Sequence, residues 1–472
     1  PLKTLGKGIK NAMHNIGNTQ KNFVCADYLL YPNEYTMNHM IEDYMIENIS
    51  NAQGVLTGYP RNAVFLDKER ANEIRQKEAA GYRKAYAYMP TWRGAIGSID
   101  EDVNDILRAY LEELDSRFED DEILFVNLHP IAVKSLDLTC YKHIKKFPAG
   151  YETYDFLNCT DCLITDYSSV FYDYAITGKK CVLFAYDEEE YFADRGVYMS
   201  LSDLPFPKVY NLDDLLTEIR SPKNYDDTAF LKEFCAYESK DAAKKVLDLA
   251  LDGKQSEGMT LRKVPCNGKK NIIMNAGNLD RNGVTTAIYN LLGNINREEA
   301  NYYICFPTVC GRIHSDTLAA LPEGVGYFPL IGRFNLSIYK NLIWYAFLSL
   351  TLLKIKLIKA DYVAKLLKDD WKYEIKRAFG GAKFDNAIQL TGYGAKMIMM
   401  FSEFDCKKTI YVHSDMKKEI ETRGNQREDI LRYAYRTYDN LALVTEDIWE
   451  ATAYFAERTD HFKVAHNIIA YE

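Results

Sequence analysis

At 472 residues the chain is too long for one ordinary hydrophobic core, so two or three domains are expected. With 47% hydrophobic and 26% charged residues it has the balance of a water-soluble globular protein, and its formal net charge of -9 argues against general nucleic-acid binding, because nothing offsets phosphate repulsion globally. Ten scattered cysteines without a dense framework exclude a disulfide scaffold and fit a reducing cytoplasm.

Residues 1–20 are basic and glycine-containing, with Lys3, Lys7 and Lys10 spaced by Gly6 and Gly8, and read as a loop leading into a helix. The stretch 23–30 is strand-like. Residues 34–49 carry Met37, Met40, Ile41 and Met45 at helical spacing. A short strand over 55–57 turns at Gly58 and Pro60, beside Tyr59, Arg61 and Asn62. Another strand, 83–91, runs into Pro90, Thr91, Trp92, Arg93 and Gly94, and 103–118 is an amphipathic helix. An apolar strand over 123–128 stops at His129 and Pro130, and a helical turn over 154–160 follows.

The chain is organised around residues 161–196. The apolar Cys162, Leu163 and Ile164 end abruptly in Thr165, Asp166, Tyr167, Ser168 and Ser169, and an amphipathic segment over 170–176 is closed by Thr177 and Gly178. A second strand, 181–186, and an acidic loop deliver Arg195 and Gly196. Asp and Ser residues at a helix start leave backbone N–H groups facing an anion, and an arginine from the next loop can close a fork on it. The unit has the chemistry of a phosphate seat. Cys159 and Cys162 have CxxC spacing, but no second pair lies nearby, and no metal is expected.

Strands alternating with helices at this spacing predict an α/β fold of doubly wound, mostly parallel sheets. Ligands of such sheets bind outside the carboxyl ends of the strands. Thr91, Arg93, His129, the segment 166–169 and Arg195 then converge on one crevice.

The motifs Pro90-Thr91-Trp92-Arg93, His129-Pro130 and Thr165-Asp166-Tyr167-Ser168-Ser169, the trailing Asp173 and the pair Arg195-Gly196 come in the order seen in bacterial CDP-glycerol glycerophosphotransferases. The chain resembles that family, the teichoic-acid primases and polymerases, over roughly residues 1–215; Pro1 to Gly6 and Thr57 to Asn62 are similar as well. The resemblance implies a GT-B architecture in which 1–80 is the C-terminal part of the acceptor lobe and 81–251 the CDP-glycerol-binding lobe. It implies transfer of glycerol phosphate, or a related polyol phosphate, to a hydroxyl of a lipid-linked acceptor with release of CMP. His129 and Arg195 would hold the pyrophosphate as the catalytic pair. Thr91, Arg93, Asp166, Ser168, Ser169 and Asp173 would bind the donor phosphates or brace the helix start. The substrate is CDP-glycerol, with no cofactor and no metal. In the family a Trp-His-Gly-Thr segment precedes the stretch matching Pro1 to Lys3, and its histidine looks like the general base. That segment is absent here, so the chain reads as a piece of a longer polypeptide with weak donor binding and little turnover.

The chain loosens over 252–268, taken as a linker. The remaining residues, 269–472, open with a strand over 271–275 and a loop containing Gly277, Asn282 and Gly283 that enters a helix over 285–292; glycines at such a turn let backbone approach a phosphate or sugar. This half resembles the first lobe of a retaining GT-B glycosyltransferase. Strand-like pieces at 387–390, 409–413, 441–445 and 462–464 fit that lobe, and His413 would end a strand facing its cleft. The apolar run 342–353 is too short to span a bilayer, which takes about 20 residues. Within 333–359, flanked by Arg333, Lys340, Lys354, Lys356 and Lys359, it would lie on an anionic membrane with Trp344, Tyr345 and Phe347 among the headgroups; the other reading is a buried helix. The expected location is the cytoplasmic side of the bacterial membrane. Two further readings remain open at this point, a sugar-nucleotide transferase or epimerase of the same fold and a non-catalytic membrane-docking scaffold.

Overall fold

A computed structural model describes residues 12–91, 101–128, 137–193, 197–307, 320–332, 334–352, 357–424 and 426–468. The chain divides into two compact units. Among the described residues the first comprises 30–40 and 54–262, and the second 12–29, 41–53 and 263–468.

The chain opens with the helix Ala12–Cys25 and two short strands, β1 (Tyr28–Tyr31) and β2 (Gln53–Leu56). The expected strand over 23–30 is therefore mostly helix and turn. Ile16, Gln20 and Val24, four residues apart, are all buried, and that helical period outweighs the local apolar run. The helix packs against the second unit, where the N–H of Gly381 donates to the carbonyl of Val24 at 2.9 Å. The units thus cut the chain differently from the expected 1–80, 81–251 and 269–472. The stretch 252–268 also carries a strand of its own, β9 (Thr260–Lys263).

The first unit is built on six parallel strands, β3 (Lys84–Met89), β4 (Glu122–Val126), β5 (Ile144–Lys146), β6 (Cys162–Thr165), β7 (Lys180–Phe184) and β8 (Lys208–Val209). Their spatial order is β5-β4-β3-β6-β7-β8, a doubly wound sheet starting at its middle. Both faces are covered. Tyr86, Leu124, Val126, Ile164 and Val182 meet Leu111 and Leu114 of the helix Glu101–Arg117, whereas Ala87, Leu163 and Leu183 meet Phe171 and Phe206. Burial on both sides explains why β4, β6 and β7 read as unbroken apolar runs; each large side chain so buried contributes about 2 kcal/mol.

The second unit repeats the plan with seven parallel strands, β10 (Lys270–Asn275), β11 (Ala300–Pro307), β12 (Val325–Leu330), β13 (Asn386–Gln389), β14 (Lys407–Val412), β15 (Asn440–Leu443) and β16 (Phe462–Val464). Their order is β12-β11-β10-β13-β14-β15-β16. Mixed α/β architecture with parallel sheets, as the sequence implied, is the architecture of both units.

The apolar run of the second unit forms the helix Ile338–Leu352. Two of the three aromatic side chains expected at a membrane are core residues instead. Trp344 is 6% and Phe347 0% exposed, and Trp344 packs edge-on against the buried Trp371. The exposed stripe is Ile338, Tyr339, Leu342 and Tyr345. Helical geometry sorts the run into two faces, which composition alone could not do. Among the described residues no helix is long and apolar enough to cross a membrane.

Candidate active site at the strand switch point

In an open parallel sheet the crevice lies where the winding reverses, here between β3 and β6. Two side chains tie these strand ends together. The Thr165 hydroxyl donates to the carbonyl of Met89 at 2.7 Å. Asp166, 1% exposed, accepts the Thr91 N–H at 2.9 Å on each oxygen, the Thr91 hydroxyl and its neighbour's Tyr167 N–H. Burying a carboxylate costs little only when its oxygens are surrounded by donors in this way. Thr91 and Asp166, singled out separately in the sequence, form one clasp.

Tyr167 extends the clasp to the next strand end. It is fully buried, donates its hydroxyl to Asp187 at 2.9 Å and stacks on Tyr191 with ring centres 4.1 Å apart. Ser168 is half-buried and its hydroxyl accepts the Val170 N–H at 3.5 Å; Ser169 is exposed. Ser169 has helical dihedrals and makes no side-chain cap hydrogen bond. The helix Val170–Tyr174 is only five residues long and passes into a 3₁₀ turn, Ala175–Thr177, stopped by Gly178. The two hydroxyls remain at the mouth of the turn.

Asp173 is placed differently from the expectation that it contacts donor phosphate. It is 5% exposed, and its oxygens accept from Arg61 at 3.0 Å, Asn62 at 2.9 Å and Tyr154 at 2.7 Å. Those donors neutralise it inward, so Asp173 anchors the helix to the loop 57–62 instead of facing the crevice. Arg61 serves with Asn62 as such an anchor. Burial and the Asp173 charge raise the Tyr154 phenol well above its usual range, so the tyrosine remains a donor. Sequence reasoning missed Asn62, Tyr154 and Glu238 as members of this cluster; Glu238 lies in the connection between the helices Thr228–Phe234 and Ala242–Asp252 and carries no local signal. Arg93, His129 and Arg195 lie outside the described residues. The described part of the site is therefore the clasp, the two serines and the anchor behind them. Among the described residues no group of three or more His, Cys, Asp or Glu side chains could hold a metal ion.

The second unit has its own switch point, between β10 and β13. There Asn275 donates to Gln389 Oε1 at 2.8 Å, and the same oxygen accepts the N–H and hydroxyl of Thr391 at 3.2 and 3.1 Å. Gly277 has φ 68°, and a Cβ there would stand 2.7 Å from Thr391 Cγ2, so only glycine fits this close approach. Asn282 is the N-cap of the helix Gly283–Asn294, accepting the Thr285 N–H at 3.0 Å, and Gly283 is its first residue. His413 follows β14, with Nε2 on the Leu390 carbonyl and its ring over Tyr411. Burial lowers its pKa, so it is neutral near pH 7. It lines a small cavity with Ile288, Leu291, Tyr411 and His466. Gln389, Thr391 and Tyr393, whose hydroxyl pairs with Ser414 at 3.0 Å, were not singled out from the sequence.

Comparison with known proteins bears on the N-terminal half of the chain. The family model of CDP-glycerol:poly(glycerophosphate) glycerophosphotransferase matches residues 1–252. The chain is 30% identical over 269 residues to the teichoic acid poly(glycerol phosphate) polymerase of Bacillus spizizenii, covering 52% of this chain and 66% of that one. It is 31% identical over 277 residues to the teichoic acid glycerol-phosphate transferase of Staphylococcus aureus, covering 52% and 67%. The teichoic acid glycerol-phosphate primase of Bacillus subtilis is 29% identical over 208 residues, covering 44% and 52%. A solved structure of the wall teichoic acid polymerase TagF aligns at 26% identity with a TM-score of 0.43, covering 54% of this chain and 66% of that one. The chain thus spans between about half and two thirds of these relatives. With the match running over more than half of its length, and with Thr91 and Asp166 joined at the switch point, the chain belongs to the CDP-glycerol:poly(glycerophosphate) glycerophosphotransferase family.

Proposed function

We propose that the first unit carries the transfer of glycerol phosphate from CDP-glycerol to a hydroxyl of a membrane-linked polymer acceptor in teichoic-acid synthesis. The acceptor oxygen bonds to the phosphorus that bears glycerol, the bond from that phosphorus to the CMP oxygen breaks, and the hydroxyl proton leaves to a base. Such a reaction depends on positioning and on charge stabilisation of the phosphoryl oxygens. The supporting observation is the Thr91–Asp166 clasp, which holds two strand-end loops at fixed separation while leaving the Ser168 and Ser169 hydroxyls at the mouth. In this reading those hydroxyls donate to donor oxygens, and Arg93, His129 and Arg195 supply the positive charge. Displacement titrations test it: CDP-glycerol should compete out a labelled cytidine nucleotide, and UDP-sugars should not. Equal or better displacement by a UDP-sugar overturns the assignment.

The second unit, in the same proposal, is the first lobe of a sugar transferase. Its switch point is lined by neutral amides and hydroxyls, which suits hydroxyl-rich ligands. Peripheral attachment to the cytoplasmic face of the membrane belongs to this reading as well. The stripe Ile338, Tyr339, Leu342 and Tyr345, within a stretch from 324 to 360 that has basic but no acidic residues, supplies the contact. Flotation with anionic vesicles, against Leu342→Glu, checks it; absence of binding removes it.

A further inference from the structure

The cluster behind the first unit's crevice contains two carboxyl groups and one amide that serves both. Asn62 Nδ2 donates one hydrogen to Asp173 Oδ1 at 2.9 Å and the other to Glu238 Oε1 at 3.0 Å. Glu238 Oε1 also accepts the Tyr59 N–H at 3.2 Å. Glu238 Oε2 and Asn62 Oδ1 are both buried without a hydrogen-bond partner. The loop backbone presses on this carboxyl: Gly58 has φ 73°, and a Cβ there would stand 2.7 Å from Oε2. The charged and titratable groups that bear on Glu238 are Asp173, Arg61, Tyr59 and Cys235. The Arg61 guanidinium is committed to Asp173 at 3.0 Å and lies over the Tyr59 ring at 4.1 Å. Glu238 therefore shares an amide with a carboxylate and, among the described residues, has no ion pair of its own.

Burial, with the Asp173 charge adding to it, pushes the Glu238 carboxyl up to about 7, against the smaller opposing pull of Asn62, the Tyr59 N–H and Arg61. Since Oε1 already accepts twice, the proton belongs on Oε2. Deprotonation places a second negative charge on the amide that Asp173 already uses, while among the described residues the nearby Arg61 guanidinium is already paired with Asp173.

We propose that Glu238 is a proton-dependent positioning residue, whose neutral carboxyl latches the loop 57–62 to Asp173 and so fixes the short helix that follows Ser168 and Ser169. The consequence for glycerol-phosphate transfer rests on the functional reading above; the latch itself does not. The folded chain holds this proton more tightly than the unfolded chain, in which glutamate titrates near 4.5. Stability is therefore highest below that value, declines as pH rises through neutrality, and levels off above about 7.

The test is thermal unfolding and CDP-glycerol affinity measured from about pH 5 to about pH 8.5, on the unsubstituted chain and on Glu238→Gln. The amide keeps the neutral state at every pH. Both the melting temperature and the affinity of the unsubstituted chain should fall across this range, and Glu238→Gln should flatten both curves. Parallel curves for the two proteins overturn the proposal. If Glu238→Gln does not fold, Asp173→Asn provides a second reading: removal of the neighbouring charge should shift the fall to lower pH and shrink it, and an unchanged fall overturns the latch. Melting is read without substrate. A chain that shows the pH-dependent melting yet binds no CDP-glycerol retains the latch and loses the functional reading.

Discussion

The two units share one winding and differ in what closes the switch point. In the first, a buried carboxylate, Asp166, takes the N–H and hydroxyl of Thr91 across β6 and β3. In the second the corresponding tie is neutral, Asn275 to Gln389, with Thr391 on the same oxygen. Both satisfy polar groups that the end of a parallel strand leaves without a ladder partner. A buried carboxylate draws N–H and O–H donors around itself, so the loops around Asp166 are held at many points. An amide pair fixes the strand ends with less electrostatic reach and leaves hydroxyls as the chemistry of the opening. The same topology thus offers one rigid seat of the kind phosphoryl transfer needs and one neutral mouth.

Several substitutions can break or sharpen this contrast. Asp166→Ala has the largest expected effect. It removes the carboxylate acceptor of the Thr91 and Tyr167 N–H groups, at a cost of about 1–3 kcal/mol for each bond, and lets the loops move apart. The proposed glycerol-phosphate transfer should drop at least about a hundredfold, read as CMP release, because small displacements of phosphate-bearing loops have consequences of that size. An activity near the original would make Asp166 a bystander. Gln389→Ala comes next. It should lower the stability of the second unit by about 1–3 kcal/mol, measured by denaturant unfolding, while CDP-glycerol affinity is unchanged. A matching loss of donor affinity would mean that the two openings are not chemically independent.

His413→Gln is the smallest. Burial holds the imidazole below its usual 6.5, so the folded chain binds its proton less readily than the unfolded chain. The associated stability is present above about pH 6.5 and is lost as pH falls below that value. The glutamine variant should show a flatter acid limb in thermal melts, by less than about 1 kcal/mol across the range. An unchanged acid limb would place the titration elsewhere.

Much of this could be read in the sequence, for identifiable reasons. Strands buried on both faces must be continuous apolar runs, and 123–128, 162–164 and 181–186 were visible on that ground. Thr91 and Asp166 stood out because polar residues that abruptly end such runs sit at strand ends. Other features depend on contacts between distant segments. The face along Ile16, Gln20 and Val24 was hidden by the neighbouring Phe23, whose apolar character suggested a strand. Asp173 was legible as a residue trailing the strand-end motif, but whether it turns toward the ligand or the loop depends on Arg61, Asn62 and Tyr154, which lie 112, 111 and 19 residues away. Trp344 and Phe347 carry the same composition signal as Tyr345, and only packing, of Trp344 against Trp371 and of Phe347 against Trp344, separated them.

The sequence by itself determined the alternation of strands and helices, the parallel α/β class, and the motifs that place the chain in its family, because these follow from local periodicity and from residues a few positions apart. The tertiary structure decided which segments group into each unit, which carboxyls face inward, and that Glu238 shares an amide with Asp173. Those outcomes are set by burial and by the pairing of charges across more than a hundred residues, and no local pattern encodes how far a side chain will lie from water or which partner will reach it first.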